Sequence, residues 1–141
     1  MGVGIIGIGV FIVGVCFASL TIAETRIDEA VRLSKFALSA MECSMLAPDK
    51  FDAQRLAEIG LASGKKYFDA VARLSAEEEK IAGNDIPEIW RGVSGISKDF
   101  VLGRVWQKME SIVYKSLGDD TGKWAREKAE KYADKHCMSL R

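Results

Sequence analysis

Charge is missing from the start of this chain. No Asp, Glu, Lys or Arg precedes Glu24, and all 20 acidic and 20 basic side chains follow Ala23. Histidine is scarce as well: His136 is the sole one, which excludes any mechanism needing two. Two prolines, Pro48 and Pro87, leave few points at which a helix must break. The net charge is zero, so there is no electrostatic case for a nucleic-acid partner. The basic excess of the tail from Lys123 onward reads as a solvated helix face that complements the helix dipole. No serine stands in a G-x-S-x-G context, and the C-x-x-C-H site of covalent haem is absent.

What fills the uncharged start is a single apolar run. Val3 to Ile22 holds Val, Ile, Gly, Phe, Cys, Ala and Leu with one Ser and one Thr. Twenty such residues in a helix rise about 30 Å, enough to cross a hydrocarbon core. Residues 1–23 are therefore expected to be a signal peptide or an N-terminal membrane anchor, and residues 24–141 one helical domain. Thr21-Ile22-Ala23 offers the small residues of a cleavage site, but no Lys or Arg supplies a positive n-region. Gly14 and Ala18 form a small-xxx-small pair suited to an anchor that packs against another helix. Arg26, Arg32 and Lys35 follow the run and none precedes it, which by the positive-inside rule opposes export of an anchored chain. The reading adopted is export: periplasmic or extracellular, with an inner-membrane tether through residues 3–22 if they stay on.

The three cysteines divide into one plus two. Cys16 lies in the apolar run, whereas Cys43 and Cys137 lie near opposite ends of the charged body. In an oxidising compartment those two would close a long loop, worth ~4–5 kcal/mol by chain entropy. The alternative is a pair of buried free thiols. A metal site from Glu42-Cys43 and His136-Cys137 is disfavoured, because adjacent helical residues point about 100° apart.

Periodicity near 3.6 residues predicts helices almost throughout. The first, Glu24 to about Leu46, buries Ile27, Ala30, Val31, Ser34, Ala37, Leu38, Met41 and Met45. The second, about Phe51 to Leu74, aligns Leu56, Ile59, Gly60, Ser63, Gly64, Tyr67, Phe68, Val71 and Leu74. Gly60 and Gly64 cost roughly 1 kcal/mol each in propensity, which predicts close approach of a helix or an aromatic ring. Ser75-Ala-Glu-Glu78 reads as a capping box opening a short helix that stops at Gly83. Between Asn84 and Ser97 a helix start with Pro87 in its first turn and a small-residue link are expected, with no phosphate-cradling motif there. A third long helix, about Ser97 to Leu117, buries Leu102, Val105, Trp106, Met109, Ile112 and Val113 and ends at Gly118. The last, Gly122 to about Cys137, is so polar that Cys137 is needed to tether it. The fold class is all-α: a small helical bundle of three long and one or two short helices after an N-terminal hydrophobic helix.

Three chemical readings compete. Met41 or Met45 with His136 would give a non-covalent haem site in a helical bundle, although Met on an apolar stripe is usually core. Cys16 inside a Gly-rich segment is similar to the signal anchor of phage lysozymes. Glu110 and Asp119 keep the acid spacing of that family, but Ala125 stands where its threonine belongs. Glu77, Glu78 and Glu79 read as a solvated helix start. Glu42-Cys43-Ser-Met-Leu-Ala47, Arg55-Leu56 with Gly60, Gly64 and Phe68, Asp99-Phe-Val-Leu-Gly103, and Tyr132 with Cys137 together resemble small exported two-cysteine helical bacterial proteins of unknown function. That resemblance implies export and pairing of Cys43 with Cys137, and no activity. The expected function is non-enzymatic: binding of a protein partner in the cell envelope, as an inhibitor, immunity or exclusion factor, or accessory subunit. A ligand- or haem-carrying bundle stands second and a phage-type cell-wall hydrolase third. No cofactor or metal is expected under the first reading.

Overall fold

The computed structural model describes residues 13–140, with side chains from Glu24 onward. The chain forms α1 (Val13–Leu46), α2 (Lys50–Val71), α3 (Ala76–Ala82), α4 (Lys98–Ser116) and α5 (Trp124–Asp134). Short 3-10 turns occupy Glu88–Trp90, Thr121–Lys123 and Cys137–Ser139, and no strand occurs among the described residues. The first half of the apolar run falls in residues 1–12, outside the described residues. Among those described, no helix is long and apolar enough to cross a membrane. The helix expected to begin at Glu24 is one continuous α1 from Val13, since no proline or glycine lies between Gly14 and Pro48.

α1 and α2 form the central antiparallel pair. Ser44 near the end of α1 donates to Ala53 O near the start of α2, while Glu29 pairs with Arg73 just beyond the far end of α2. Pro48 and Asp49 make the turn between them. The Asp49 carboxylate accepts from the Phe51 and Asp52 amides, which caps α2. The two glycines do what their position on the buried face predicts. A Cβ on Gly60 would stand 3.0 Å from Met41 N and 3.2 Å from Ala37 O, so the α1 backbone itself lies against this position. A Cβ on Gly64 would collide with the Leu102 side chain and stand 3.4 Å from the Trp90 ring.

From Ala37 to Leu46, α1 is covered on almost every side: Ala37, Leu38, Ala40, Met41, Cys43, Ser44, Met45 and Leu46 are all buried. A single stripe does not describe it, because α2, α3, α4, α5 and the Cys137–Ser139 turn all contact it. α4 contributes a narrower stripe of Val101, Leu102, Val105, Met109 and Val113. Ile112, expected inside, is 54 % exposed, and Trp106 is only half-buried. Ile112 borders an open cleft beside the three-residue 3-10 turn, and Trp106 borders the surface toward α2. Trp90 of this turn instead points inward, its Nε1 donating to Ser34 O at 3.1 Å and its ring 4.7 Å from Tyr67. Pro87 is the cap of the turn.

The ends of the shorter helices follow local chemistry. Ser75 and Glu78 form the full capping box on α3. Gly118 takes φ +71°, the left-handed stop after α4. α5 does not run to Cys137. It ends at Asp134, and His136 takes the left-handed region at φ 53°, which turns the chain so that Cys137 enters the core. Lys131 Nζ donates to Ser116 O at 3.2 Å, tying α5 to the end of α4, and Arg126 pairs with Glu130 at 3.7 Å.

Two glycine variants separate propensity from packing. Gly103 is exposed on α4, and a Cβ added there would meet nothing within 4 Å, so Gly103→Ala is expected to stabilise by up to about 1 kcal/mol. Gly60→Ala gains the same propensity but pushes two backbones apart, and a net loss of about 1–2 kcal/mol is expected. Urea denaturation of both variants checks the opposite signs.

Candidate functional site

The residues that sequence reasoning singled out fall in three different settings. Cys43 on α1 and Cys137 after α5 are fully buried and sit at disulfide distance, with Cα atoms 5.5 Å apart. This pairing is compatible with an oxidising, exported location. Met41 has no exposed surface and packs against Gly60, and Met45 is a buried core residue. His136 is exposed at the end of α5. The three are not gathered at one opening, so the weak haem ligand set shares no cleft. Glu42 pairs with Lys135 at 3.0 Å, and the described residues include no group of three His, Cys, Asp or Glu able to hold a metal ion.

Two polar networks that the sequence did not announce fasten the ends of the body. In the first, Asp52 accepts from Tyr132 Oη at 2.9 Å and from Arg55 Nε and Nη2 at 3.1 and 3.0 Å. Arg55 Nη1 also donates to Leu140 O at 2.7 Å. This links α2 to α5 and to the chain end, on the same side as the cysteine pair. The Tyr132 hydroxyl, with help from Arg55, holds the Asp52 carboxyl below the usual carboxylate range. Burial, and the same bond to Asp52, push the Tyr132 phenol up. In the second network, Glu78 accepts from the Ser75 backbone N–H at 2.7 Å and from Arg26 Nη2 at 2.7 Å. The Ser75 N–H is the main reason its carboxyl is held low, against an opposing effect of burial. Arg26 Nε is buried without a partner, while its Nη1 reaches Arg73 O at 3.4 Å.

α4 borders two open surfaces. Toward α2 lies an apolar furrow of about 440 Å³ lined by Ala57, Leu61, Leu102, Gly103 and Trp106, with the Lys65–Asp99 pair (2.8 Å) on its rim. Beyond Trp106 it meets a second hollow of about 320 Å³, whose lining includes Met45, Ala53, Glu110, Tyr114 and Lys128. Tyr114 stacks on Trp124 at 5.4 Å and carries Lys128 over its ring at 5.1 Å. Glu110, the acid of the hydrolase spacing, thus sits among aromatic rings, and Asp119 does not line that hollow. On its other flank α4 meets the 3-10 turn in an open cleft of about 670 Å³. Large apolar side chains also remain exposed, among them Phe51 at 84 %, Ile96 at 97 % and Phe100 at 50 %.

Sequence reasoning placed Trp106 and Ile112 in the core and so missed both surfaces. The signal that was present is the width of the α4 stripe, since apolar residues at Trp106 and Ile112 lie on opposite edges of it. Comparison with known protein families, with curated proteins and with solved structures finds no match to this chain.

The pKa directions fix how stability depends on pH. Asp52 and Glu78 are lowered, so their contribution is complete above the unfolded carboxylate pKa of about 4 and is lost as pH falls through the folded values. Tyr132 is raised, so its contribution is complete below about pH 10 and is lost as pH rises through its folded value. Tyr132→Phe is expected to lower stability at pH 7 and to flatten both flanks of the profile. Denaturant midpoints from about pH 2.5 to about pH 11 test this, and unchanged flanks would contradict it.

Proposed function

We propose that the chain is a non-enzymatic, exported or membrane-tethered helical protein that acts by binding another protein. The observation that carries this reading is the furrow between α2 and α4. Its centre is apolar, with Leu61 and Trp106 as large anchors over the small residues Ala57 and Gly103, and its rim is charged through Lys65 and Asp99. An apolar centre ringed by polar groups, with an aromatic anchor, is the anatomy of an interface. The Asp52–Arg55–Tyr132 and Arg26–Ser75–Glu78 networks, by contrast, hold helix ends together.

Export is supported by the cysteine pair at disulfide distance and by the apolar run before Glu24. Under this reading the pair is oxidised, and an inhibitor, immunity, exclusion or accessory role fits a small neutral body. Neither a haem-carrying nor a hydrolase role is favoured by a specific observation. Met41 is sealed in the core, and Glu110 lacks its expected partner acid in the same hollow.

Chemical cross-linking in intact cells tests the proposal. Discrete higher-mass species containing this chain are expected, and Leu61→Asp, at a position 36 % exposed, should remove them while leaving the fold intact. Complete absence of such species, or their persistence in Leu61→Asp, would contradict it.

A further inference from the structure

The outer face of α4 differs in charge from the rest of this neutral molecule. Arg104, Lys108 and Lys115 lie one turn or three turns apart on it, with Gln107, Ser111 and Ile112 between them, and all are exposed. The span from Arg104 to Lys115 is roughly 16 Å at the helical rise. No acid of α4 shares this face. Asp99 and Glu110, the acids of α4, lie toward α2, where they border the furrow and its neighbouring hollow. None of the ion pairs among the described residues uses Arg104, Lys108 or Lys115. Arg104 makes only a long bond, 3.5 Å, to Ser94 O. Like charges one turn apart on a helix, such as Arg104 and Lys108, repel each other.

Beside the stripe lies the 670 Å³ cleft, lined by Glu88, Ile89, Arg91, Lys108, Ser111 and Ile112. Arg91 is held there by its Nη2 bonds to Gly83 O and Ile86 O. Two cations face the single carboxylate of Glu88, and Ile89 and Ile112 supply an apolar floor. The surface therefore combines an open cleft that holds Ile89 and Ile112 with a linear array of positive charge opposed only by Glu88.

We infer that this face docks an acidic amphipathic helix of the partner protein. One apolar side chain enters the cleft between Ile89 and Ile112. Carboxylates one and three turns apart on that helix meet Arg104, Lys108 and Lys115. The inference rests on the protein-binding reading but uses a surface separate from the furrow. A protein is favoured over an anionic bilayer by the geometry of the bundle. α1 is antiparallel to α2 and so is α4, as Lys65–Asp99 and the Lys98–Asp69 pair show, so α4 runs alongside α1. Its outer face looks sideways from the axis along which α1 leads back to the apolar run. A flat bilayer would also leave the cleft unfilled.

Site-specific photo-cross-linking in the full chain, expressed in its own host, tests this. A photoreactive residue is placed at Ser111, and in a second strain at Leu61. Expected is an adduct at Ser111 to a protein segment of net negative charge, identified by mass spectrometry of the cross-linked peptide. Arg104→Glu with Lys108→Glu should cut its yield at least tenfold, and Arg104→Lys with Lys108→Arg should keep it. Because those side chains are exposed and unpaired, the melting temperature should not move; if it does, Lys115→Glu replaces the pair. A lipid adduct, a neutral or basic segment, or a yield indifferent to charge reversal overturns the inference. An adduct at Leu61 with none at Ser111 overturns it while leaving the protein-binding reading in place. Adducts at neither position overturn both.

Discussion

At Gly60 the backbone of α2 rests directly on the backbone of α1, and the other elements are arranged around that contact. A Cβ there would meet Met41 N and Ala37 O at 3.0 and 3.2 Å, so no larger residue fits without separating the helices. The close approach lets Met41 be fully enclosed and brings Ser44 within bonding distance of Ala53 O. One turn further along, Gly64 admits Leu102 of α4 and the edge of Trp90. The pair thus forms a groove into which the rest of the chain lays apolar side chains. Fully buried Leu56, Leu102 and Met41 each contribute roughly 1.5–3 kcal/mol by removal from water.

The later elements have less to bury and are fastened differently. α5 has only Tyr132 buried, so packing alone does not hold it. Its attachments to α1 and α2 are the Cys43–Cys137 pair, the Tyr132–Asp52 bond, Arg55 to Leu140 O and Lys135 to Glu42. The left-handed His136 is what allows Cys137 to turn inward immediately after the helix. At the opposite end Arg26 and the Ser75–Glu78 box join α1 to α3. Ionisable groups thus serve as joints at the two ends, and open surfaces flank α4.

Much of this was legible because it is local. The helices follow from periodicity, α3 from its capping box, the stop after α4 from Gly118, and the close approaches from two glycines on a buried face. The cysteine pair followed from counting and from the length of loop it would close. What was hidden depends on partners distant in sequence. Nothing near Asp52 announces Tyr132, and nothing near Arg26 announces Glu78. Periodicity also says where a buried stripe is centred but not how wide its cover is. Ile112 therefore read as core, although the 3-10 turn leaves it half-open, and α1 read as one stripe although it is enclosed nearly all round. The basic face of α4 was likewise invisible, because zero net charge conceals which cations have acids beside them.

A tight α1–α2 pair stands on its own packing, and the C-terminal segment is held to it by a few fastenings. Hydrogen exchange of the full chain, before and after reduction of Cys43 and Cys137, measures this directly. Amides around Ala37–Met41 and Gly60–Gly64 are expected to exchange last in both states, and reduction should strip protection from α5 alone. Equal exchange of α5 and the α1–α2 pair before reduction, or loss of protection in all helices together after it, would contradict this division of the molecule.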